Sequence, residues 1–161
     1  MSLVIFIIMK ATTRPINTSF RKLLLGDVKS LVDIETTNSE HPWSASHFSS
    51  SVDNRNTLTY GLIVEQQLIG YALALVALES ADLLNIGIHP NYKRQGFGRT
   101  LLVHLLTELK QAAVNALILE VRVENHIAIN FYEKQGFKGI GIREKYYSNR
   151  EDAKIMKLLI P

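Results

Sequence analysis

The chain has 161 residues, of which 47% are hydrophobic and 20% charged, with a net charge of +3 and no cysteine. This fits one globular domain and argues against a disordered chain, a coiled coil or a fibre, because roughly 150 residues bury about 70% of their unfolded surface without a staple. The lack of cysteine excludes a disulfide scaffold, Cys-ligated zinc, iron–sulfur clusters and a thiol nucleophile, and it fits a reducing compartment.

The charge is uneven. Residues 1–80 carry 6 Lys and Arg against 7 Asp and Glu, whereas residues 81–161 carry 12 against 8. An anionic ligand is therefore expected in the C-terminal half. No long basic run with interleaved aromatics occurs, so no nucleic acid partner is expected.

The chain opens on an apolar run, residues 3–9 (LVIFIIM). It is too short for the about 20 residues of a membrane span, and it lacks the basic start and cleavage site of a signal peptide. An extra edge strand or an appendage is expected there, with a dimer contact as the alternative and Met9 as an alternative start. The expectation is a cytoplasmic protein without a membrane partner, monomeric or weakly dimeric.

Residues 20–25 predict a short strand. Asp27 is a candidate N-cap for a helix in which Val28, Leu31 and Val32 repeat at core-facing spacing. His41-Pro42 breaks that pattern, and Ser44 caps a second short helix carrying Phe48. Residues 49–56 are polar and read as loop. Residues 57–65 and 68–78 predict a hairpin around Gln66-Gln67. Residues 82–89 form another strand, stopped by Pro90. Residues 98–113 give the best helix, with Leu101, Leu102, Leu105, Leu106 and Leu109 in one stripe and Thr100, His104, Thr107, Glu108 and Gln111 largely away from it. Residues 117–123 suit a central strand. Asn125 is the N-cap of a helix over 126–135 that Gly136 stops. Residues 138–143 and 153–160 complete the sheet. The order β-α-α-β-β-β-α-β-α-β-β predicts an α/β (α+β) domain with a mixed sheet and helices packed on it, not a doubly wound repeat.

Between the strand ending at His89 and the leucine helix lies Asn91-Tyr92-Lys93-Arg94-Gln95-Gly96-Phe97-Gly98-Arg99. Glycines let several N–H groups point into one concavity, the following helix aims its positive end there, and Lys93, Arg94 and Arg99 add charge. The arrangement suits a pyrophosphate, and a plain glycine turn with solvated basic residues is the simpler alternative. The Walker pattern is absent, and the dinucleotide pattern fails because Leu101 stands where its third glycine belongs.

The run Lys93-Arg94-Gln95-Gly96-Phe97-Gly98 resembles the [QR]-x-x-G-x-[GA] loop of the GNAT acetyltransferase superfamily, with Lys93 in place of the usual Gln or Arg. The blocks His41-Pro42-Trp43-Ser44, Asn85-Ile86-Gly87-Ile88, Leu119-Glu120-Val121-Arg122, Phe131-Tyr132-Glu133-Lys134-Gln135-Gly136-Phe137, Tyr146-Tyr147 and Arg150-Glu151-Asp152-Ala153 are similar to the ribosomal-protein-alanine N-acetyltransferase type (RimI type) within it. The resemblance covers residues 20–159 and leaves 1–19 as an extension of a single domain.

The resemblance implies the GNAT fold, with a mostly antiparallel central sheet, and acetyl-CoA as cosubstrate. Ile86, Gly87 and Ile88 would pair with the pantetheine arm like an added strand. Arg94, Gln95, Gly96, Phe97, Gly98 and Arg99 would hold the pyrophosphate, and Asn125 would contact the cofactor. By their residues alone, Gly87 is equally a packing glycine and Asn125 simply an N-cap.

Glu120 interrupts an apolar strand, where a carboxylate is costly unless paired or functional. Its simplest reading is an ion pair with Arg122; the resemblance makes it the general base, acting through water. Tyr132 alone reads as a core aromatic with a wet tip, with Phe131 the better core candidate. The resemblance makes Tyr132 the acid that protonates the departing thiolate, in a direct transfer with N–H groups near Ile88 on the oxyanion.

The implied partner is a basic N-terminal peptide, beginning with alanine, of a small-subunit ribosomal protein. Asp27, Asp33, Glu35 and Glu40 against Lys29 form an acidic segment suited to it, or else a solvated helix face. Trp43, Tyr146 and Tyr147 are candidate walls of the peptide groove or seals on the sheet. His41, His47, His89, His104 and His126 have no metal-ligand spacing and no GxSxG elbow accompanies them, so no metal is expected. A GNAT enzyme for lysine side chains or a small amine, and a catalytically silent CoA-binding module, remain as alternatives.

Overall fold

The computed structural model describes residues 17–161, so the expectations for the apolar run at 3–9 lie outside the described residues. Among the described residues, seven strands form one sheet in the order β1-β2-β3-β4-β5-β7-β6. They are β1 (Thr18–Lys22), β2 (Thr57–Val64), β3 (Gln67–Ala77), β4 (Ser80–Ile88), β5 (Ala116–Arg122), β6 (Lys138–Arg143) and β7 (Ala153–Leu159). Every pairing is antiparallel except β4 with β5. The helices are α1 (Val28–Asn38), α2 (Ala45–Asp53), α3 (Phe97–Gln111) and α4 (His126–Lys134), in the expected order.

Strand alternation divides the core between the two faces. In β3, Tyr71 and Leu73 pack with Leu31 and Ile34 of α1 and Phe48 of α2. Ala72 and Ala74 turn to the other face, where Leu101, Leu102, Leu105 and Leu109 of α3 are buried. The leucine stripe is thus a core face, as its spacing predicts.

Some boundaries differ from expectation. β1 ends at Lys22, because Leu23 enters the core while Leu24 and Leu25 lie exposed at the entry to a 3-10 turn. Asp27 does not cap α1 with its side chain. Its carboxylate instead takes both guanidinium nitrogens of Arg21, at 2.7 and 2.8 Å, and the Leu24 N–H at 2.8 Å. Val32 is only partly buried, and Ile34 and Glu35 are buried in α1. The polar stretch read as loop is largely helical: Ser44 accepts the His47 N–H, α2 runs to Asp53, and Ser49 returns a hydroxyl bond to the Ala45 carbonyl. The β2–β3 hairpin turns at Glu65-Gln66, with φ of 48° and 70°. Two left-handed residues are what a tight hairpin needs, and here neither is glycine. His104 is not a polar-side residue: it is half-buried, stacked on Phe20 at 4.0 Å, and burial lowers its pKa. Glu108 accepts the Tyr60 hydroxyl at 2.5 Å.

β4 and β5 pair at three positions only, Ser80 with Ala116, Ala81 with Leu117 and Asp82 with Ile118. Beyond these, β4 stays with β3 and β5 follows β7 along its whole length. The sheet therefore opens into a cleft between the C-terminal halves of β4 and β5.

The hydrogen bond from Arg21 is the main reason the Asp27 carboxyl sits below the usual carboxylate range. A carboxyl depressed in the folded state adds stability above its unfolded pKa near 4, and that stability is lost as pH falls through the folded value. Because Arg21 is partly exposed, the contribution is discounted to about 1 kcal/mol or less. Asp27→Asn is expected to cost about 0.5–1 kcal/mol at pH 7 in denaturant unfolding. The gap to the unmodified protein should narrow below about pH 4; a cost independent of pH would rule out the linkage.

Candidate active site

Among the described residues, the cleft has an unpaired backbone edge. The His89 N–H donates to the Ile69 carbonyl in β3 at 2.7 Å. Successive residues of a strand aim their backbone groups at alternate edges, so those of Ile86 and Ile88 face the cleft and those of Gly87 face β3. Asn38, at the end of α1, donates its Nδ2 to the Ile88 carbonyl at 2.9 Å. This leaves the Ile88 N–H and the Ile86 backbone groups on the open edge.

Gly87 lies over the Tyr71 ring, and a Cβ there would stand 2.8 Å from the Tyr71 ring and hydroxyl. Beneath it, the Tyr71 hydroxyl donates to Glu35 at 2.6 Å. Glu35 also accepts from Asn85 Nδ2 at 3.2 Å and the Trp43 N–H at 3.3 Å. Three donors satisfy this buried carboxylate, and burial together with that carboxylate pushes the Tyr71 phenol well up. Glu35 is therefore not part of an outward acidic face. Asp27 is held by Arg21, and Asp33 pairs with Lys29 at 2.7 Å, so three of the four carboxylates assigned to that face are already engaged. Trp43 packs against Phe48 as part of the core on the α1–α2 face.

At the N-terminal end of α3, Arg94 has a φ of 59° and Gly96 a φ of 87°. Among the described residues, no atom lies within 4 Å of a Cβ built on Gly96, and no side chain caps the helix. Thr100 closes the first turn onto the Gly96 carbonyl at 3.1 Å. The N–H groups of Phe97, Gly98 and Arg99 have no carbonyl one turn back, which is the anion-binding condition of a helix start. The side chains divide the work. Phe97 is buried and anchors the loop, Gln95 ties it to the Asn91 carbonyl at 3.0 Å, and Lys93, Arg94 and Arg99 are exposed. Gly98 lies 3.7 Å from the Phe131 ring and 3.9 Å from Ile88, measured from a built Cβ. The open strand edge, the helix start and α4 thus meet at one point.

On the opposite wall, Glu120 pairs with Arg143 at 2.7 Å, not with Arg122. Arg122 is taken by Glu151 and by Asn149 Oδ1 at 3.1 Å, and lies 3.9 Å over the Tyr147 ring. Tyr146 lies beside Glu120, whose carboxylate is the largest cause of its raised pKa. The Glu120 side chain keeps 24% of its surface exposed, so solvent reaches it. Asn125 caps α4 by accepting the Ala128 N–H at 3.1 Å. Tyr132 is buried between Phe131 and Phe137, while Phe131 is only partly buried, the reverse of the expected ranking. Burial, then Tyr147, pushes the Tyr132 phenol up. Tyr147 interacts electrostatically with both Tyr132 and Glu120. Asn38 and Arg143 are site residues that sequence reasoning missed, and Glu35 was read only as part of the acidic segment. An apolar helix face carrying Glu35 was the available signal.

A free strand edge beside an uncapped, basic helix start fits an extended chain ending in a pyrophosphate, the chemistry of coenzyme A. Residues 28–137 match the model of the acetyltransferase (GNAT) family. The chain belongs to this family. It is an acetyl-CoA-dependent N-acetyltransferase. It is 41% identical over 137 residues to the [ribosomal protein bS18]-alanine N-acetyltransferase of Escherichia coli K12, covering 83% of this chain and 92% of that protein. It is 39% identical over 134 residues to the enzyme of the same name from Haemophilus influenzae, covering 81% and 90%. The crystal structure of the ribosomal-protein-S18-alanine N-acetyltransferase from Escherichia coli superposes with a TM-score of 0.83 at 38% identity, covering 89% of this chain and 94% of that one. The PaiA N-acetyltransferase of Thermoplasma acidophilum, solved in complex with coenzyme A, shares the fold with a TM-score of 0.73 at 20% identity, covering 89% and 99%.

The two glycines of this GNAT site should fail differently. Gly87→Ala drives a methyl into the Tyr71 ring and is expected to cost about 1–3 kcal/mol of stability, with a lowered Tm. Gly96→Ala meets no atom and costs about 1 kcal/mol of backbone strain, with its main effect a weaker acetyl-CoA affinity in titration. Equal Tm losses for both would contradict this division.

Proposed function

We propose that this enzyme acetylates the α-amino group of a protein N-terminus, and that its substrate is the N-terminal alanine of a small-subunit ribosomal protein. The observation that carries this reading is 41% identity over 92% of the Escherichia coli enzyme named for that reaction. Such a reaction takes place in the cytoplasm, where ribosomal proteins are made.

The chemistry of the amine supports the reading. An α-amino group has a pKa near 7.7–8.0 against about 10.4 for lysine, so an N-terminus reaches its neutral, nucleophilic form more readily. Acetyl-CoA supplies an activated thioester carbonyl. Ile86 and Ile88 hold the pantetheine arm on the open edge of β4, Phe97, Gly98 and Arg99 present N–H groups to the pyrophosphate, and Arg94 and Arg99 add charge. The Ile88 N–H, on the open edge of β4, donates to the reacting oxygen. Glu120 takes the amine proton, directly or through water, from its solvent-reached position. Tyr132 stays protonated at any working pH and donates its hydroxyl to the leaving sulfur.

With acetyl-CoA, an Ala-starting basic peptide should be acetylated and an acetyl-capped lysine peptide should not. Acetylation of the lysine peptide alone would overturn the substrate. Binding of acetyl-CoA without acetylation of any amine in a free N-terminal peptide library would favour a silent CoA-binding module. Glu120→Gln is expected to lower kcat by about 10²–10⁴-fold, and Tyr132→Phe by about 10²-fold, with acetyl-CoA affinity retained. Full turnover in both would remove them from the mechanism.

A further inference from the structure

The carboxylate assigned to the amine proton already holds a cation. Arg143 Nη1 lies 2.7 Å from Glu120 Oε1, at the end of β6, the edge strand of the sheet. The Arg143 side chain is 56% exposed, and its guanidinium lies 5.3 Å from the Tyr146 ring centroid. Its counterpart two strands inward, on β5, is different. Arg122 is clamped by Glu151, Asn149 and the Tyr147 ring, and so it fixes the β6–β7 loop in place. Among the described residues, Glu120 and Tyr146 are what holds Arg143, and 56% of its side chain is exposed.

We propose that Arg143 is a resident stand-in for the substrate's own ammonium group: it occupies Glu120 in the free enzyme, and the cationic amino terminus of the incoming peptide displaces it. The proposal rests on the reading that Glu120 receives the substrate amine. It deepens that reading by making acceptor binding an exchange of one cation for another.

Three features favour an exchange. The carboxylate is never left alone in the cleft, so the substrate need not desolvate an unpaired charge. The receiving site is already shaped for a cation: Tyr146, whose pKa Glu120 raises, stays beside the carboxylate, and its ring lies next to the place the guanidinium leaves. The departing group is cheap to release, because an exposed ion pair holds weakly and a guanidinium at a sheet edge returns to water without uncovering core. The site therefore selects an acceptor that arrives charged and compact. A neutral or already acetylated terminus cannot make the exchange.

The test is peptide affinity, read by titration in the presence of coenzyme A, for the free Ala-starting basic peptide and for its Nα-acetylated form. Arg143→Gln is expected to tighten binding of the free peptide about three- to fivefold, the scale of one exposed ion pair. It should leave the acetylated peptide unchanged. Arg143→Lys, which keeps a cation, should return the free peptide towards the unmodified affinity. Weaker, unchanged or equally improved binding of both peptides in Arg143→Gln would overturn the proposal. Glu120→Gln separates the two readings. If it fails to weaken the free peptide relative to the acetylated one, the amine does not sit on Glu120 and the underlying reading fails. If it does weaken the free peptide while Arg143→Gln brings no gain, the exchange alone fails.

Discussion

Three residue pairs hold β4 to β5, and the rest of the molecule depends on their being so few. A sheet closed along its full length would have no free backbone edge at its centre. The divergence is held from both sides. β5 is paired with β7 at seven positions, Ala116 to Arg122, and so cannot follow β4. β4 is held to β3, with Gly87 seated on the Tyr71 ring and Asn38 bonded to the Ile88 carbonyl. Register slips between Leu73 and Ala74 in β3 add local twist just where the strands part. The open edge is a consequence of these pairings and needs no ligand to create it.

The buried carboxylate of Glu35 belongs to the same device. An unpaired carboxylate in a core is costly, and removing one partner of a satisfied network leaves the remainder exposed to that cost. Its donors come from β3 (Tyr71), β4 (Asn85) and the α1–α2 connection (Trp43). A single charge thus pins α1 to the two strands whose far end carries the open edge. Hydrophobic packing of Leu31 and Phe48 brings these elements together, but it does not fix their relative position as three directed hydrogen bonds do.

The order of elements was legible because it rests on local periodicity. The leucine stripe of α3, the alternation of β3 and the caps at Ser44 and Asn125 need only neighbours in sequence to be read. The glycine loop was legible for the same reason: Gly96 takes a φ of 87°, a conformation that suits glycine. What was not legible depends on distant partners. Asp27 looked like a cap, and Arg21 drew it away. Glu35 looked like surface charge, and Tyr71, 36 residues along the chain, made it interior. Arg122, the neighbour of Glu120 in sequence, is held by Glu151, and Glu120 pairs with Arg143 instead. The turn at Glu65-Gln66 carries no glycine signal, because the twist of the flanking strands imposes its left-handed conformation.

The two proposed proton-handling groups lie in opposite surroundings, and this limits what each can do. Glu120 keeps a quarter of its side chain in contact with solvent, so a proton it takes from an amine has a way out. Tyr132 is buried among rings, and burial lifts its pKa above the ordinary value of about 10. A thiol near 8.5 is the stronger acid by more than about 1.5 units, so full transfer from this phenol to a thiolate is uphill. The hydroxyl therefore stabilises the departing sulfur chiefly as a hydrogen-bond donor, and the proton that completes the thiol arrives as the product leaves for water. A tyrosine suits that task better than a stronger acid. It never ionises at working pH, and so it never meets the developing thiolate with a charge of the same sign.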